Sequence, residues 1–277
     1  MSDLLPKRFT MSDLRLARET GTKVPVLTCY DYTTARLMHA AGVRAILVGD
    51  SAANVILGHD TTLPVSIDFM TDLTAGVRRG APGALVVADM PFGSYGASDE
   101  QGATNAFRMV QLSGCDCVKM ETTPGHASLV SRLADSGVAV MAHIGLRPQS
   151  VGLLGGYKAQ GRTPADADAI VDLAVRMEKA GASALLVEAV PDEVGAAVVA
   201  STSIPVIGCG AGPACHGYVV VLQDLLGLTD PSPRFVPDYG DAVKKALTGV
   251  FARWVDEVKS ETYPSADHAY GMTERQK

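Results

Sequence analysis

Short apolar runs that recur along the chain and stop at an ionisable side chain constrain its fold more than any other feature. Six such runs end at Asp31, Asp50, Asp89, Glu121, His143 and Glu188. Each run has the length and the β-branched content of a strand buried in a parallel sheet. In a closed parallel barrel all strands end at one face, so we expect these six side chains to converge there.

Helix-like segments separate the strand candidates. They cover 33–42, 68–80, 99–114, 126–137, 164–181 and a stretch near 191–200, and two further runs, 204–212 and 218–225, supply a seventh and an eighth strand. Eight strands that alternate with helices predict an α/β chain folded as a (β/α)8 TIM barrel. The alternative is a doubly wound open sheet, but the first strand lacks the G-x-G-x-x-G turn of its best-known form.

The ends of the chain extend this barrel. Residues 11–21 predict an N-terminal helical extension, which covers the bottom of the barrel or packs on a neighbour. Residues 239–260 predict a final amphipathic helix, and 261–277 form a polar tail. Because no linker interrupts the pattern, we expect one domain over residues 1–277.

Composition limits the partners and the compartment. The formal net charge is -6 without a basic cluster, which argues against a nucleic-acid or anionic-membrane partner. No apolar stretch approaches the ~20 residues of a membrane span, and the N-terminus lacks an apolar signal segment. Five cysteines in a chain of this size indicate reduced thiols and not a disulfide framework, and the lack of a CxxC pair argues against structural zinc. We therefore expect a cytoplasmic protein.

Two acidic residues suit a divalent cation. Asp50 and Asp89 end the second and third strands, which are neighbours in a barrel. Mg²⁺ typically takes one or two carboxylates together with substrate and water. Glu121, at the end of the fourth strand, is a candidate third ligand or a partner of a metal-bound water. Alternatively, each acid caps a helix or pairs with Arg or Lys.

Three further side chains could carry acid–base chemistry at this face. Lys119 lies two residues before Glu121 and therefore points to the same side of its strand, where it could neutralise a carboxylate or an enolate oxygen. His143 could donate a hydrogen bond to the same oxygen, or be a structural histidine. Glu188 is flanked by apolar residues, which would raise its pKa and make it a usable base.

Several ordered segments resemble the ketopantoate hydroxymethyltransferase family, from about residue 8 to residue 270. They are LVGDS (47–51), GHDTTLPV (58–65), ADMPF (88–92), VKME (118–121), AHIG (142–145), PQSVGLLGGYKAQGR (148–162), LVEAVP (186–191) and IGCGAG (207–212). The family belongs to the phosphoenolpyruvate/pyruvate-binding barrel superfamily. The resemblance thus implies a (β/α)8 barrel, usually assembled as a homo-oligomeric decamer.

The resemblance also implies an activity and a set of site residues. The activity is Mg²⁺-dependent hydroxymethyl transfer from 5,10-methylenetetrahydrofolate to 3-methyl-2-oxobutanoate, which gives 2-dehydropantoate on the route to pantothenate. Mg²⁺ would bind Asp50 and Asp89, with Glu121 nearby through water. Ser51, Lys119 and His143 would contact the 2-oxo acid, and Glu188 would be the base. The alternatives are a paralogue that uses another 2-oxo acid, a carbon–carbon lyase of the same superfamily, and a non-catalytic barrel.

The chain departs from the family pattern at positions expected to line loops around this face. The changed positions are Ala52, Ala53, Asn54, Gly93, Thr122, Thr123, His216, Tyr218 and Gln223. Replacing glycine by Ala or Thr restricts the backbone and adds bulk, which can reshape a pocket without changing its chemistry. These changes leave open which 2-oxo acid, and which one-carbon donor, the protein uses.

Overall fold

The strands close into a barrel in the computed structural model, which describes residues 7–272. All eight pair in parallel and in chain order, with β8 returning to β1. The strands are β1 (Val24–Thr28), β2 (Ala45–Val48), β3 (Leu85–Asp89), β4 (Cys117–Glu121), β5 (Ala139–Gly145), β6 (Ala184–Glu188), β7 (Val206–Cys209) and β8 (Gly217–Val220). The predicted (β/α)8 barrel is confirmed and the open sheet is excluded.

Helices alternate with these strands. They are α1 (Met11–Thr20), α2 (Tyr32–Ala40), α3 (Ala52–Val55), α4 (Ile67–Gly80), α5 (Asp99–Ser113), α6 (Ala127–Asp135), α7 (Val151–Leu154), α8 (Pro164–Lys179), α9 (Asp192–Ser201), α10 (Leu222–Leu225) and α11 (Ala242–Lys259). The eighth apolar run was wrongly predicted to be one strand over 218–225. Its strand ends at Val220, and its last residues form α10 instead.

The first apolar run also ends differently from the prediction. Strand β1 stops at Thr28, and Asp31 is the N-cap of α2, whose side chain accepts a hydrogen bond from the Thr34 N–H at 2.8 Å. This satisfies one of the free N–H groups that every helix start presents. Asp31 is exposed and does not join the other strand-end residues.

Alternate residues of each strand point into the barrel. Their apolar members form one core cluster together with Leu14 and Ala17 of α1: Val24, Val26, Ala45, Leu47, Leu85, Val87, Cys117, Met141, Ala184, Leu186, Ile207 and Val219. Most lie in the first half of their strands, so α1 covers the N-terminal end of the barrel. Because every second residue of a strand faces inward, the polar residues at the strand ends face the inside of the barrel as well.

The chain divides into two compact units, one up to Leu222 and one from Gln223. The second unit contains α11, and there the Tyr263 ring contacts the Trp254 ring at 4.6 Å and the His268 ring at 4.8 Å. The predicted polar tail forms a short helical turn at Ala266–His268, and its residues 273–277 lie outside the described range. The expectation of one domain over 1–277 stays a prediction.

Within residues 7–272, every helix is too short or too polar to cross a membrane.

Candidate active site

The strand register brings most of the predicted residues to one end of the barrel. Asp89 pairs with Lys119 across β3 and β4, and Glu121 pairs with His143 across β4 and β5. Glu188 ends β6 opposite Gly145. The barrel thus places ionisable residues at the C-terminal ends of four adjacent strands, where TIM-barrel enzymes carry their active sites.

A continuous row of polar contacts crosses these four strands. Lys119 Nζ lies 2.9 Å from Asp89 Oδ1 and 3.2 Å from His143 Nδ1. On the other side of the imidazole, His143 Nε2 lies 3.3 Å from Glu188 Oε2, without the angle of a hydrogen bond. Asp89, Lys119 and His143 are each at most 5% exposed. The row links Asp89 to Glu188 with little access to water.

The protonation states along this row follow from its electrostatics. Burial by itself would lower the pKa of Lys119, but the carboxylates of Asp89 and Asp50 outweigh it and raise that pKa. Burial, reinforced by the Lys119 charge, holds the pKa of His143 well below its usual range. The lysine is therefore an ammonium that donates to Nδ1 of a neutral imidazole, which leaves the imidazole proton on Nε2, facing Glu188.

The carboxyl groups of Asp50, Glu121 and Glu188 resist ionisation in this setting. Burial, and then the Asp89 charge, raise the pKa of Asp50 to about 7. Burial raises the pKa of Glu121 to about 8 and that of Glu188 to about 7, although Lys119 opposes both shifts. The predicted rise in the Glu188 pKa is thus present. A carboxyl group with a pKa near 7 can take and return a proton at neutral pH.

The charge balance of the site fits a divalent cation. Asp50, Asp89, Glu121 and Glu188 place four carboxyl groups around the Lys119 ammonium. The Asp50 N–H donates to Asp89 Oδ2 at 2.9 Å, so the two aspartates are adjacent. Within residues 7–272, Glu121 Oε2 is buried without a hydrogen-bond partner. A cation would favour the ionised form of these buried carboxyl groups and would balance the negative charge that they then carry.

The donor set also limits how a cation would be held. No group of three or more His, Cys, Asp or Glu side chains in the described part of the chain is arranged to hold a metal ion alone. The adjacent aspartates Asp50 and Asp89 suit an ion that takes two protein carboxylates and fills its other positions with substrate and water, as Mg²⁺ does.

Ser51 lies directly before α3, beside this acidic cluster. Its Oγ shares a hydrogen bond of 2.8 Å with the hydroxyl of Tyr30, which is 3% exposed and follows β1. Tyr30 was missed at the sequence level, because nothing in the strand pattern distinguishes it from a core aromatic residue. The contact fixes where the Ser51 hydroxyl lies.

Two further polar residues of the site, Tyr95 and Gln149, were also missed. The Gln149 side-chain amide donates to Asp50 Oδ2 at 2.8 Å, and the Tyr95 hydroxyl donates to Gln149 Oε1 at 2.7 Å. Tyr95 is 6% exposed and Gln149 is 8% exposed. Gln149 falls within the family-like segment 148–162, which was a signal for it. Tyr95 follows β3 in a loop without any recognisable pattern.

The altered loop residues do not all lie at this face. Thr122 and Thr123 follow β4, and both the N–H and the hydroxyl of Thr122 donate to the His143 carbonyl, at 2.9 and 3.1 Å. Ala52, Ala53 and Asn54 form the start of α3 after β2, and Gly93 follows β3 with a φ of 79°. These positions follow strand ends, as predicted.

His216 and Tyr218 are placed differently. They lie at the start of β8, where His216 Nδ1 accepts a hydrogen bond from the N–H of Val206, the first residue of β7. The start of a barrel strand is the face opposite to the site. The prediction that these two changes lie around the site is therefore wrong, and Gln223 belongs to the second compact unit.

A closed (β/α)8 barrel with buried acids, a lysine and a neutral histidine at the ends of its strands defines a barrel enzyme with an acid–base site. Solved structures share this fold. Among them is phosphoenolpyruvate phosphomutase from Streptomyces platensis subsp. rosaceus, at a TM-score of 0.63 and 15% identity over 95% of this chain and 92% of that one. At such low identity the likeness concerns the fold alone.

Sequence comparison is more specific. The family model of ketopantoate hydroxymethyltransferase matches residues 8–266. The chain is 43% identical, over 99% of both proteins, to the 3-methyl-2-oxobutanoate hydroxymethyltransferase of Heliobacterium modesticaldum. It is 42% identical to that of Thermobifida fusca, over 95% of this chain and 94% of the relative. The chain belongs to the ketopantoate hydroxymethyltransferase family and is an enzyme, a hydroxymethyltransferase.

Proposed function

We propose that the enzyme transfers a hydroxymethyl group from 5,10-methylenetetrahydrofolate to 3-methyl-2-oxobutanoate and forms 2-dehydropantoate on the route to pantothenate. The relatives that match nearly the whole chain carry the name of this oxo acid. The observation that carries the chemistry is the row from Asp89 through Lys119 and His143 to Glu188. This row combines a base, Glu188, with two groups that can donate hydrogen bonds to the enolate oxygen of the substrate, Lys119 and His143.

Asp50 and Asp89 would hold Mg²⁺, with Glu121 contacting it through water. The bound ion would polarise the keto group of the oxo acid and so acidify the C3–H bond next to it. This assignment is supported by the adjacency of the two aspartates and by the excess of buried carboxyl groups.

Glu188 would remove the C3 proton of the oxo acid. Its pKa of about 7 makes it partly ionised and a stronger base than an ordinary carboxylate at neutral pH. Its position at the end of β6, beside His143 Nε2, would bring the base and a hydrogen-bond donor to the same substrate.

Lys119 and His143 would stabilise the enolate that this deprotonation leaves. The imidazole is neutral with its proton on Nε2, and no side chain in the described range makes a hydrogen bond to that nitrogen. A substrate oxygen could accept this bond, while the Lys119 ammonium supplies a positive charge nearby. The Ser51 hydroxyl, fixed by Tyr30, would bind the substrate carboxylate.

The carbon–carbon bond would form next. Water would hydrolyse the methylene bridge of the folate: both carbon–nitrogen bonds break, the two nitrogens take the two protons of the water, and the carbon leaves as formaldehyde. The electron pair of the enolate C3 would attack that carbon, and the formaldehyde oxygen would take the proton held by Glu188 and become the hydroxyl group. The products are 2-dehydropantoate and tetrahydrofolate.

Deuterium exchange tests the first step without the folate. The protein is incubated in D₂O with Mg²⁺ and 3-methyl-2-oxobutanoate, and deuteration at C3 is followed by NMR. We expect exchange without folate, and the hydroxymethylated product once methylenetetrahydrofolate is added. Glu188→Gln should slow exchange by about 10²–10⁴-fold, the usual contribution of a general base.

A matched variant controls this experiment. Glu19→Gln makes the same chemical change at an exposed position of α1 and should exchange like the wild type. Absence of exchange in the wild type would refute the proposed enolate chemistry. Equal rates in Glu188→Gln and the wild type would refute the role of Glu188.

The same assay separates the alternative functions. The altered loops at Ala53, Asn54, Gly93 and Thr122 border the site and could change its substrate. A panel of 2-oxo acids would identify a paralogue with another substrate by faster exchange on a different acid. A carbon–carbon lyase would instead cleave a substrate without any need for folate.

We also propose a cytoplasmic homo-oligomer, a decamer by family resemblance. Analytical ultracentrifugation of the purified protein would give the number of subunits. A monomer at micromolar concentration would refute this assembly.

A further inference from the structure

We propose that Gln149 is a positioning residue, held in one orientation by Tyr95, that sets the Asp50 and Glu121 carboxylates for the divalent cation. Gln149 reaches both carboxylates at once. Its side-chain Nε2 donates to Asp50 Oδ2 at 2.8 Å, and its backbone N–H donates to Glu121 Oε1 at 2.9 Å. This inference rests on the proposed function, since it takes Asp50 as a metal ligand.

One oxygen of the Glu121 carboxyl group remains free to contact another partner. Glu121 Oε1 is occupied by the Gln149 N–H, whereas Oε2 is buried and unpaired within residues 7–272. A buried carboxyl oxygen without a hydrogen-bond partner destabilises a folded protein. Here it is the atom that a cation, or a water bound to one, would contact.

Tyr95 fixes which end of the Gln149 amide faces Asp50. The Tyr95 hydroxyl donates to Gln149 Oε1 at 2.7 Å and accepts a hydrogen bond from the Glu121 N–H at 3.1 Å. The Gln149 Nε2 also donates to the Met90 carbonyl at 3.0 Å. Rotating the amide by 180° would bring Oε1 against the Asp50 carboxyl oxygen and the Met90 carbonyl oxygen and would remove the acceptor of the Tyr95 hydroxyl proton, so a single orientation is stable.

The chain segment that carries Gln149 is itself anchored to the barrel. The Leu146 N–H donates to the Glu188 carbonyl at 2.8 Å, and Arg147 Nη1 donates to the Thr122 carbonyl at 3.4 Å. A short helical turn, Pro148–Ser150, follows directly. The amide is therefore held against the ends of β4 and β6 and does not sit on a free loop.

Metal binding measures this role separately from catalysis. Free Mn²⁺ is titrated by EPR, with Mn²⁺ alone as the probe, against the wild type, Gln149→Met, Tyr95→Phe and the double variant. Methionine has the length of glutamine without its donors or acceptor. We expect Gln149→Met to weaken Mn²⁺ binding by about 10–100-fold and Tyr95→Phe by about tenfold, the range for groups that orient metal ligands.

The double variant tests whether Tyr95 acts through Gln149. If it does, the double variant should bind Mn²⁺ within about threefold of Gln149→Met alone, because the two substitutions remove one chain of contacts. Full multiplication of the two single effects would overturn the coupling. Excess Mg²⁺ should restore deuterium exchange in Gln149→Met, which a general loss of structure would not allow.

Two exposed positions supply matched controls. Gln111→Met on α5 and Tyr32→Phe on α2 make the same chemical changes at exposed positions and should bind Mn²⁺ like the wild type. Wild-type affinity in both Gln149→Met and Tyr95→Phe would overturn the inference and leave the proposed function intact. Failure of the wild type itself to bind Mn²⁺ would overturn the metal assignment and this inference together. If Gln149→Met does not fold, the Mn²⁺ affinity of Tyr95→Phe still tests the inference, and wild-type affinity in that variant would overturn it.

Discussion

Replacing Glu188 by glutamine should change how the stability of the metal-free protein depends on pH. Burial raises the pKa of this carboxyl group from 4.5 to about 7 in the folded protein. Between these two values the folded state keeps the proton and the unfolded chain loses it. The contribution of Glu188 to the free energy of unfolding of the wild type therefore falls as the pH rises from about 4.5 to about 7. Glutamine does not titrate, so the variant lacks this pH dependence.

The size of the effect follows from the two pKa values. One pKa unit corresponds to about 1.4 kcal/mol, so ionising Glu188 costs the folded protein about 3 kcal/mol in full. A fifth of its side chain is exposed to water, at 20%, which reduces this cost. We expect the free energy of unfolding of Glu188→Gln, relative to the wild type, to rise by about 2 kcal/mol between pH 5 and pH 8.

Urea denaturation followed by circular dichroism, at both pH values and with EDTA present, measures this difference. Taking the variant relative to the wild type cancels the other titrating groups of the chain. Glu19→Gln, on the surface of α1, serves as the control and should keep a constant difference from the wild type. A Glu188→Gln difference that is the same at pH 5 and pH 8 would refute the reasoning that burial keeps this carboxyl group neutral.

Three further predictions concern the metal and the barrel. Mg²⁺ should raise the melting temperature more at pH 8 than at pH 5.5, because protons compete with the cation for the buried carboxylates. Calorimetry measures both shifts, and an equal shift at the two pH values would contradict this prediction. Gly145→Ala should abolish deuterium exchange or prevent folding, since Gly145 has a φ of 88° and a Cβ there would lie 2.4 Å from the Glu188 carbonyl oxygen. Gly152→Ala, whose Cβ would meet nothing within 4 Å, should behave like the wild type. Thr28→Val should lower the free energy of unfolding by about 1–3 kcal/mol in a urea titration, because the Leu222 N–H would lose its buried 2.9 Å acceptor; a change below about 0.5 kcal/mol would argue against that contact.

The alternation of inward-facing and outward-facing residues along each strand allowed the main site residues to be predicted from the sequence. In a strand, residues two apart share a face, and in a parallel barrel the strands all end on one side. The sequence alone therefore predicts that Asp89, Lys119 and His143 lie together. The same local logic failed for Asp31, because a helix cap and a site residue look identical at the end of an apolar run.

Only the tertiary structure decided which groups touch and which are charged. Tyr95 and Gln149 are 54 residues apart, and their hydrogen bond depends on how two loops fold over the ends of the barrel. The neutral state of His143 depends on its burial and on the Lys119 ammonium beside it. A sequence encodes the period and order of its strands locally, whereas hydrogen-bond partners, burial and pKa values arise from contacts between distant segments.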